Sequence, residues 1–203
     1  MVKKKSKKSK LMWKKIWWFI WEDDSIWSWV VNIVLAFVLI KFIVYPGLGF
    51  LLSTTFPIVA VVSSSMEHDQ GFEEWWGTER AWYLNYNITK DNFINFDFND
   101  GFDKGDIMIL YGTDAEDIEV GDVIVFRSMR PDPIIHRVVR VWESNGQSYY
   151  QTKGDHNPDS IKSIKLDETR INEQQLLGRA VVRVPLLGYI KIWFVELINL
   201  FMR

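Results

Sequence analysis

Cysteine is absent from this 203-residue chain. That excludes a disulfide scaffold, a thiol nucleophile and a thiolate metal site. It leaves the compartment open, because an exported domain can do without disulfides. No phosphate-cradling glycine loop, zinc-ligand spacing or internal repeat is present, so no cofactor and no metal is expected. A global excess of charge is missing too. The formal net charge of −2 argues against a polyanion-binding surface, and no nucleic-acid partner is expected. Acid is missing from residues 1–15, which carry eight Lys and leave 16 basic against 26 acidic residues for the rest of the chain. Such asymmetry marks a basic tail on a different kind of body.

Tryptophan, by contrast, is abundant: 11 in all, six of them between residues 13 and 29. Clustered indoles mark a membrane interface, where the rings sit at headgroup level. Residues 1–10 read as a flexible basic arm. Residues 11–21 read as an interfacial helix on an anionic leaflet, so 1–25 forms one cytoplasmic arm and interfacial segment. Asp24 or Ser25 can cap the next helix. Residues 26–45 are twenty mainly apolar positions, about 30 Å of helix and one hydrocarbon core. Pro46 and Gly47 are expected to end it. The run is too long, and lacks the small-residue exit site, for a cleaved signal. The Lys cluster ahead of it puts the N-terminus in the cytoplasm and residues after 46 outside, so the expected location is the plasma membrane with lipid as a partner.

Beyond the span the texture is β. IVAVV (58–62), GDIMILYG (105–112), VGDVIVFRS (120–128), IIHRVVRVW (134–142), SYYQTK (148–153) and GRAVVRVP (178–185) are short β-branched runs punctuated by Gly, Asp and Pro. They predict a mainly β body, an antiparallel sheet or partly open barrel, over 46–185. Residues 167–177 are expected to form a short helix. Residues 69–102 interrupt the β pattern with Trp, Phe and Tyr among acids and amides, and read as an ordered insertion packed on that body. Residues 186–203 form an apolar, membrane-associated C-terminal helix, too short for a clear span.

Three segments carry chemistry. Ser65 follows a strand in VVSSSMEH; a serine is a weak nucleophile without a positioned base, and three successive hydroxyls are more often a polar turn. His136 lies inside an apolar strand, where a lone His is more often a core residue. TKGDHNPDS (152–160) supplies Asp155 and Asp159, in what could equally be an ordinary Asx turn.

In combination these segments resemble the type I signal peptidases, in the archaeal and endoplasmic-reticulum branch. The matching pieces are an N-terminal membrane helix, V-x-S-x-S-M-E around 62–67, K-G-D-I (104–107), V-G-D-V-I-V-F (120–126), I-I-H-R-V (134–138), T-K-G-D-x-N (152–157) and G-R-A (178–180). The resemblance implies a membrane-bound serine endopeptidase of the signal peptidase fold. It would remove signal peptides from exported preproteins, with Ser65 as nucleophile and His136 as base. The Ser65 N–H and the Ser63 hydroxyl would form the oxyanion hole. It departs from the family twice. His68 stands where relatives commonly have Pro, and could compete as base; a residue three past the nucleophile is expected to point along the departing loop. The second family Asp is also missing at its usual spacing. Asp159 is therefore assigned to orient His136, with Asp155 in support. Asn87 heads a sequon inside the insertion, a possible glycosylation site. The insertion is also a candidate contact for the translocation machinery. Two rivals are a self-cleaving repressor of the same clan, disfavoured by the span and by His136, and a catalytically inactive, membrane-anchored β-domain that binds envelope partners.

Overall fold

The computed structural model describes residues 3–190, 192, 193, 197 and 200, with side chains from Lys10 onward. It divides into two compact units, Met1–Leu48 and Gly49–Arg203.

In the first unit, α1 (Lys3–Trp21) is followed by α2 (Ile26–Leu39). The basic arm is therefore helical from Lys3 rather than flexible. Ser25 caps α2, its Oγ accepting from the Ser28 N–H, while Asp23 accepts from the Ser25 N–H and hydroxyl. Two polar side chains of α2 reach back to the last carbonyls of α1: Ser28 Oγ donates to Phe19 O at 2.6 Å and Asn32 Nδ2 to Ile20 O at 2.9 Å. These satisfy helix-end acceptors that have no partner inside α1. The apolar helix does not stop at Pro46. It continues through a π-helical turn (Ile40–Val44) into α3 (Tyr45–Leu51), giving 26 helical residues from Ile26 to Leu51. Pro46 lacks an N–H and its ring crowds the preceding turn. The wider turn absorbs it, with Tyr45 N–H donating to Ile40 O. The helix is about 39 Å long at 1.5 Å per residue. Its large apolar side chains are exposed along its length, which suits lipid as their solvent.

The second unit is a seven-stranded, wholly antiparallel half-barrel. Its strands are β1 (Ile58–Ala60), β2 (Ile107–Tyr111), β3 (Val123–Phe126), β4 (Ile134–Ser144), β5 (Gln147–Lys153), β6 (Ile171–Asn172) and β7 (Leu176–Val184). They run in the order β1-β2-β7-β3-β4-β5-β6. β3 is buried on both faces. Val123 and Val125 enter one core with Met66, Met108, Leu110 and Ile135; Ile124 and Phe126 enter another with Val138, Tyr150 and Leu166. The short helix expected over 167–177 is absent. Ile171 instead pairs with Tyr150 and is buried, and Glu173–Gln175 make a single 3-10 turn. Burial of Ile171 beside β5 outweighs the helical bias of the polar residues around it.

The insertion folds as α4 (Phe72–Leu84) and α5 (Lys90–Ile94). Trp75, Trp76, Tyr83, Ile88 and Phe93 pack with Val139. Val139 is the extra residue of a β-bulge, where the register with β5 slips between Val138 and Arg140. Half of the apolar C-terminal helix expected over 186–203, nine of its 18 positions, lies outside the described residues.

Candidate active site

Ser65 sits on the turn that leaves β1. Met66, wholly buried, pins that turn: its carbonyl accepts from Phe102 N–H and its sulfur from Asp155 N–H. The Ser65 carbonyl accepts from His156 N–H at 2.9 Å. Backbone contacts on both sides therefore fix the serine before its side chain does anything.

His136 lies on β4, opposite Ile124 of β3. Strand alternation sends His136 and Arg137 to opposite faces. His136 Nε2 lies 2.8 Å from Ser65 Oγ, and its Nδ1 lies 2.5 Å from Oε1 of Glu168. Glu168 is fully buried. It also accepts from Thr152 Oγ1 at 2.9 Å and from the Ile161 N–H at 2.8 Å. A carboxylate at Nδ1 holds the proton there and leaves Nε2 to accept from the serine hydroxyl. Ser63 Oγ stands 3.1 Å from Ser65 Oγ.

The acid beside His136 is therefore neither aspartate named from the sequence. Asp155 is fully buried on the other face of β4. It accepts from Arg137 Nε and Nη2, from Tyr83 OH and from His68 Nε2 at 2.8–3.2 Å. Burial alone would raise its carboxyl. The Arg137 guanidinium and His68 instead hold it well below the usual carboxylate range. Asp159 is exposed and accepts from Trp82 Nε1 at 2.9 Å and Ser160 N–H at 2.7 Å. His68, the possible competing base, is buried and stacks on Trp75 with ring centroids 3.7 Å apart.

Glu168 escaped the sequence reading because residues 161–168 fold back on themselves. Lys162 and Asp167 form a β-bridge, and the Glu168 N–H donates to Ile161 O. This fold-back returns the chain to Thr152 of β5. The signal that could have found it is an acid at the end of a turn whose neighbour, Leu166, is apolar.

Four side chains on α4 grip the end of β5 and the loop after it. Trp75 Nε1 donates to Asp155 O, Lys153 Nζ donates to Glu79, Trp82 donates to Asp159, and Tyr83 donates to Asp155. Burial lowers the Lys153 ammonium pKa and raises that of the Tyr83 phenol. The gripped loop holds Gly154, where an added Cβ would lie 2.8 Å from both His136 Nε2 and Ser65 O. Only glycine lets the backbone pass this close to the site. Asn87 is exposed between α4 and α5, with φ of 58°.

A cleft of about 480 Å³ opens beside Ser65, lined by Val59, Ala60, Val62, Ile134 and Ile135 among others. β1 borders it and, among the described residues, pairs only with β2, which leaves one β1 edge for an extended peptide.

No family model matches the chain. It is similar to a protein of Schizosaccharomyces pombe named signal peptidase complex catalytic subunit sec11. Identity is 31% over 157 residues, covering 75% of this chain and 74% of the relative. Proteins of the same name from Scheffersomyces stipitis (28% over 158 residues, 76% and 75%) and Komagataella phaffii (28% over 163 residues, 76% and 76%) are also similar.

Proposed function

The chain belongs to the family of signal peptidase catalytic subunits, its activity is the hydrolytic removal of signal peptides, and we propose that Ser65, His136 and Glu168 are the residues that carry it out. The observation that carries this assignment is the continuous Ser65–His136–Glu168 hydrogen-bond line of 2.8 and 2.5 Å. Ser65 Oγ attacks the scissile carbonyl while His136 Nε2 takes its proton. Glu168 holds the ring and stabilises the imidazolium that forms. The Ser65 N–H and Ser63 hydroxyl receive the developing oxyanion. His136 returns the proton to the leaving amine, and a water activated by the same base hydrolyses the acyl-enzyme. The substrate adds as a strand along the β1 edge, and the aliphatic side chains of the cleft favour small apolar side chains before the cut.

The first unit anchors the chain in a membrane. The eight-Lys segment supports a cytoplasmic N-terminus and a catalytic unit outside the plasma membrane. In that orientation Asn87 is reachable by a glycosylation system, and the insertion faces partners such as the translocation machinery. Incubating the membrane-embedded full chain with a preprotein tests the assignment. The wild type should process it, whereas Ser65→Ala and Glu168→Gln should not at comparable times. Processing by Ser65→Ala would refute the nucleophile. An inactive wild type would favour the reading as an envelope-binding β-domain.

A further inference from the structure

Between residues 52 and 185, two large apolar side chains stand furthest into solvent: Ile164, 92% exposed, and Met129, 74% exposed. They occupy neighbouring loops joined by a hydrogen bond from the Met129 N–H to Lys165 O at 3.0 Å. The same two loops carry five exposed cations: Arg127, Arg130, Lys162, Lys165 and Arg170. Among the described residues, none of the five lies in an ion pair. The exposed acids of the same loops are Asp132 and Asp167. This local excess of positive charge stands on a body whose remaining charge is acidic.

The base of the tip lies beside the segment that leads out of the apolar helix. Arg127 and Gln175 exchange backbone and side-chain hydrogen bonds, and the Arg127 guanidinium sits 5.4 Å from the ring centroid of Phe56. Phe56 follows the helix end at Leu51 by five residues. At its other end, Arg130, Pro131 and Asp132 line the cleft beside Ser65. The two loops thus connect the exit of the apolar segment with the mouth of the cleft.

We propose that the loops 127–132 and 161–170 form a lipid-contacting tip. Ile164 and Met129 enter the headgroup–acyl boundary of an anionic bilayer, and the cations of these loops pair with its phosphates. Three observations favour a bilayer over a protein. The unpaired cations complement anionic headgroups, each contributing about five-fold to surface partition. The tip adjoins the residues that emerge from the span. Two protruding side chains are also far too small an apolar patch for a stable protein interface, which buries roughly 800 Å² per partner. On the peptidase reading, such contact holds the cleft mouth at the membrane surface, where an embedded preprotein presents its cut site.

The cysteine-free chain permits a direct test that does not depend on activity. Full-length Ile164→Cys is labelled with an environment-sensitive fluorophore and reconstituted in phosphatidylcholine vesicles with or without phosphatidylglycerol. Lipids spin-labelled near the headgroup serve as quenchers. The control is Asp91→Cys, an exposed position at the start of α5. The label at 164 should be blue-shifted and quenched in anionic vesicles. It should lose that quenching, down to the level at 91, when Lys162→Glu and Lys165→Glu are added. Equal quenching at 164 and 91 would overturn the proposal. So would quenching at 164 that ignores phosphatidylglycerol, because the cations of the loops would then play no part. Met129→Ser with Ile164→Ser should also raise KM for a vesicle-embedded preprotein while sparing kcat on a short soluble peptide. If no variant or wild type cleaves anything, the peptidase reading fails and the quenching result stands by itself.

Discussion

His136 and His68 each bring a ring nitrogen to a buried carboxylate, Glu168 at 2.5 Å for the first and Asp155 at 3.0 Å for the second. The surroundings separate them. The other nitrogen of His136 faces Ser65 Oγ at the cleft, whereas His68 Nδ1 is buried without a hydrogen-bond partner among the described residues and its ring lies under Trp75. Glu168 accepts from two neutral donors besides the imidazole, so its charge is free to stabilise an imidazolium. Asp155 is already neutralised by Arg137, which also donates to the carbonyls of Asp97, Phe98 and Gly121. An imidazole–carboxylate pair becomes a catalytic device only where a nucleophile faces it and no guanidinium competes for the acid. The second pair is a clamp that ties the aromatic insertion to β4 and to the loop after β5.

The sharpest way to break this comparison is to remove one acid at a time. Ser65→Ala should lower turnover by about six orders of magnitude. Glu168→Gln should lower kcat by about four orders with KM little changed, because the imidazole loses its oriented tautomer. Both should keep wild-type near-ultraviolet circular dichroism. Near-normal kcat in Glu168→Gln would remove Glu168 from the triad. Ser63→Ala should cost about 10²–10³ in kcat as one oxyanion donor is lost.

Asp155→Asn should act on stability instead. It leaves the Arg137 guanidinium buried without its counter-charge, at a cost of about 3–5 kcal/mol. Urea unfolding should show the loss, and turnover per folded molecule should fall far less than in Glu168→Gln. A four-order loss of kcat in fully folded Asp155→Asn would make the two pairs functionally alike.

Acid provides a milder version of that test. The Asp155 carboxyl is depressed in the folded state, while in the unfolded chain it titrates near 3.9. Its contribution is thus fully present above about pH 4 and is lost as pH falls through the range below. The unfolded state then binds the extra proton, and stability drops by up to about 1.4 kcal/mol per pH unit for this group. Urea midpoints at pH 6 and pH 3 should diverge more for the wild type than for Asp155→Asn. Equal slopes would show that the clamp carboxylate does not set acid sensitivity.

Much of this architecture is legible in the residues. The apolar span and the β-branched runs announce themselves, the first as one unbroken apolar stretch and the others as short runs punctuated by Gly, Asp and Pro. Ser65 and His136, the proposed nucleophile and base, follow from motif order, and both lie within short, locally determined elements. The acid does not. T-K-G-D draws attention to Asp155, whose role depends on Arg137, Tyr83 and His68 converging from three other segments. Glu168 reaches His136 only through the fold-back at 161–168, a tertiary event with no periodic trace. Pro46 misleads for a related reason: a single π-helical turn absorbs a residue that ordinarily ends a helix.

The smallest effect belongs to the aspartate that the family resemblance favours. Asp159 is exposed, and its Oδ1 accepts from Trp82 Nε1 and Ser160 N–H. Asparagine keeps an oxygen at Oδ1, so Asp159→Asn can retain both bonds. A surface change that leaves its hydrogen bonds intact costs within about 0.5 kcal/mol. Trp82 also stacks on Tyr86 and lies against the Lys153 ammonium, so the α4 contact does not hang on this carboxylate alone. kcat, KM and the urea midpoint of Asp159→Asn should all match the wild type. The informative comparison is with Glu168→Gln on the same preprotein, since both swaps replace a carboxylate with an amide of the same size. A four-order loss of kcat at position 159 and none at 168 would return the orienting role to Asp159 and require the loop after Pro158 to swing to His136 in the working enzyme.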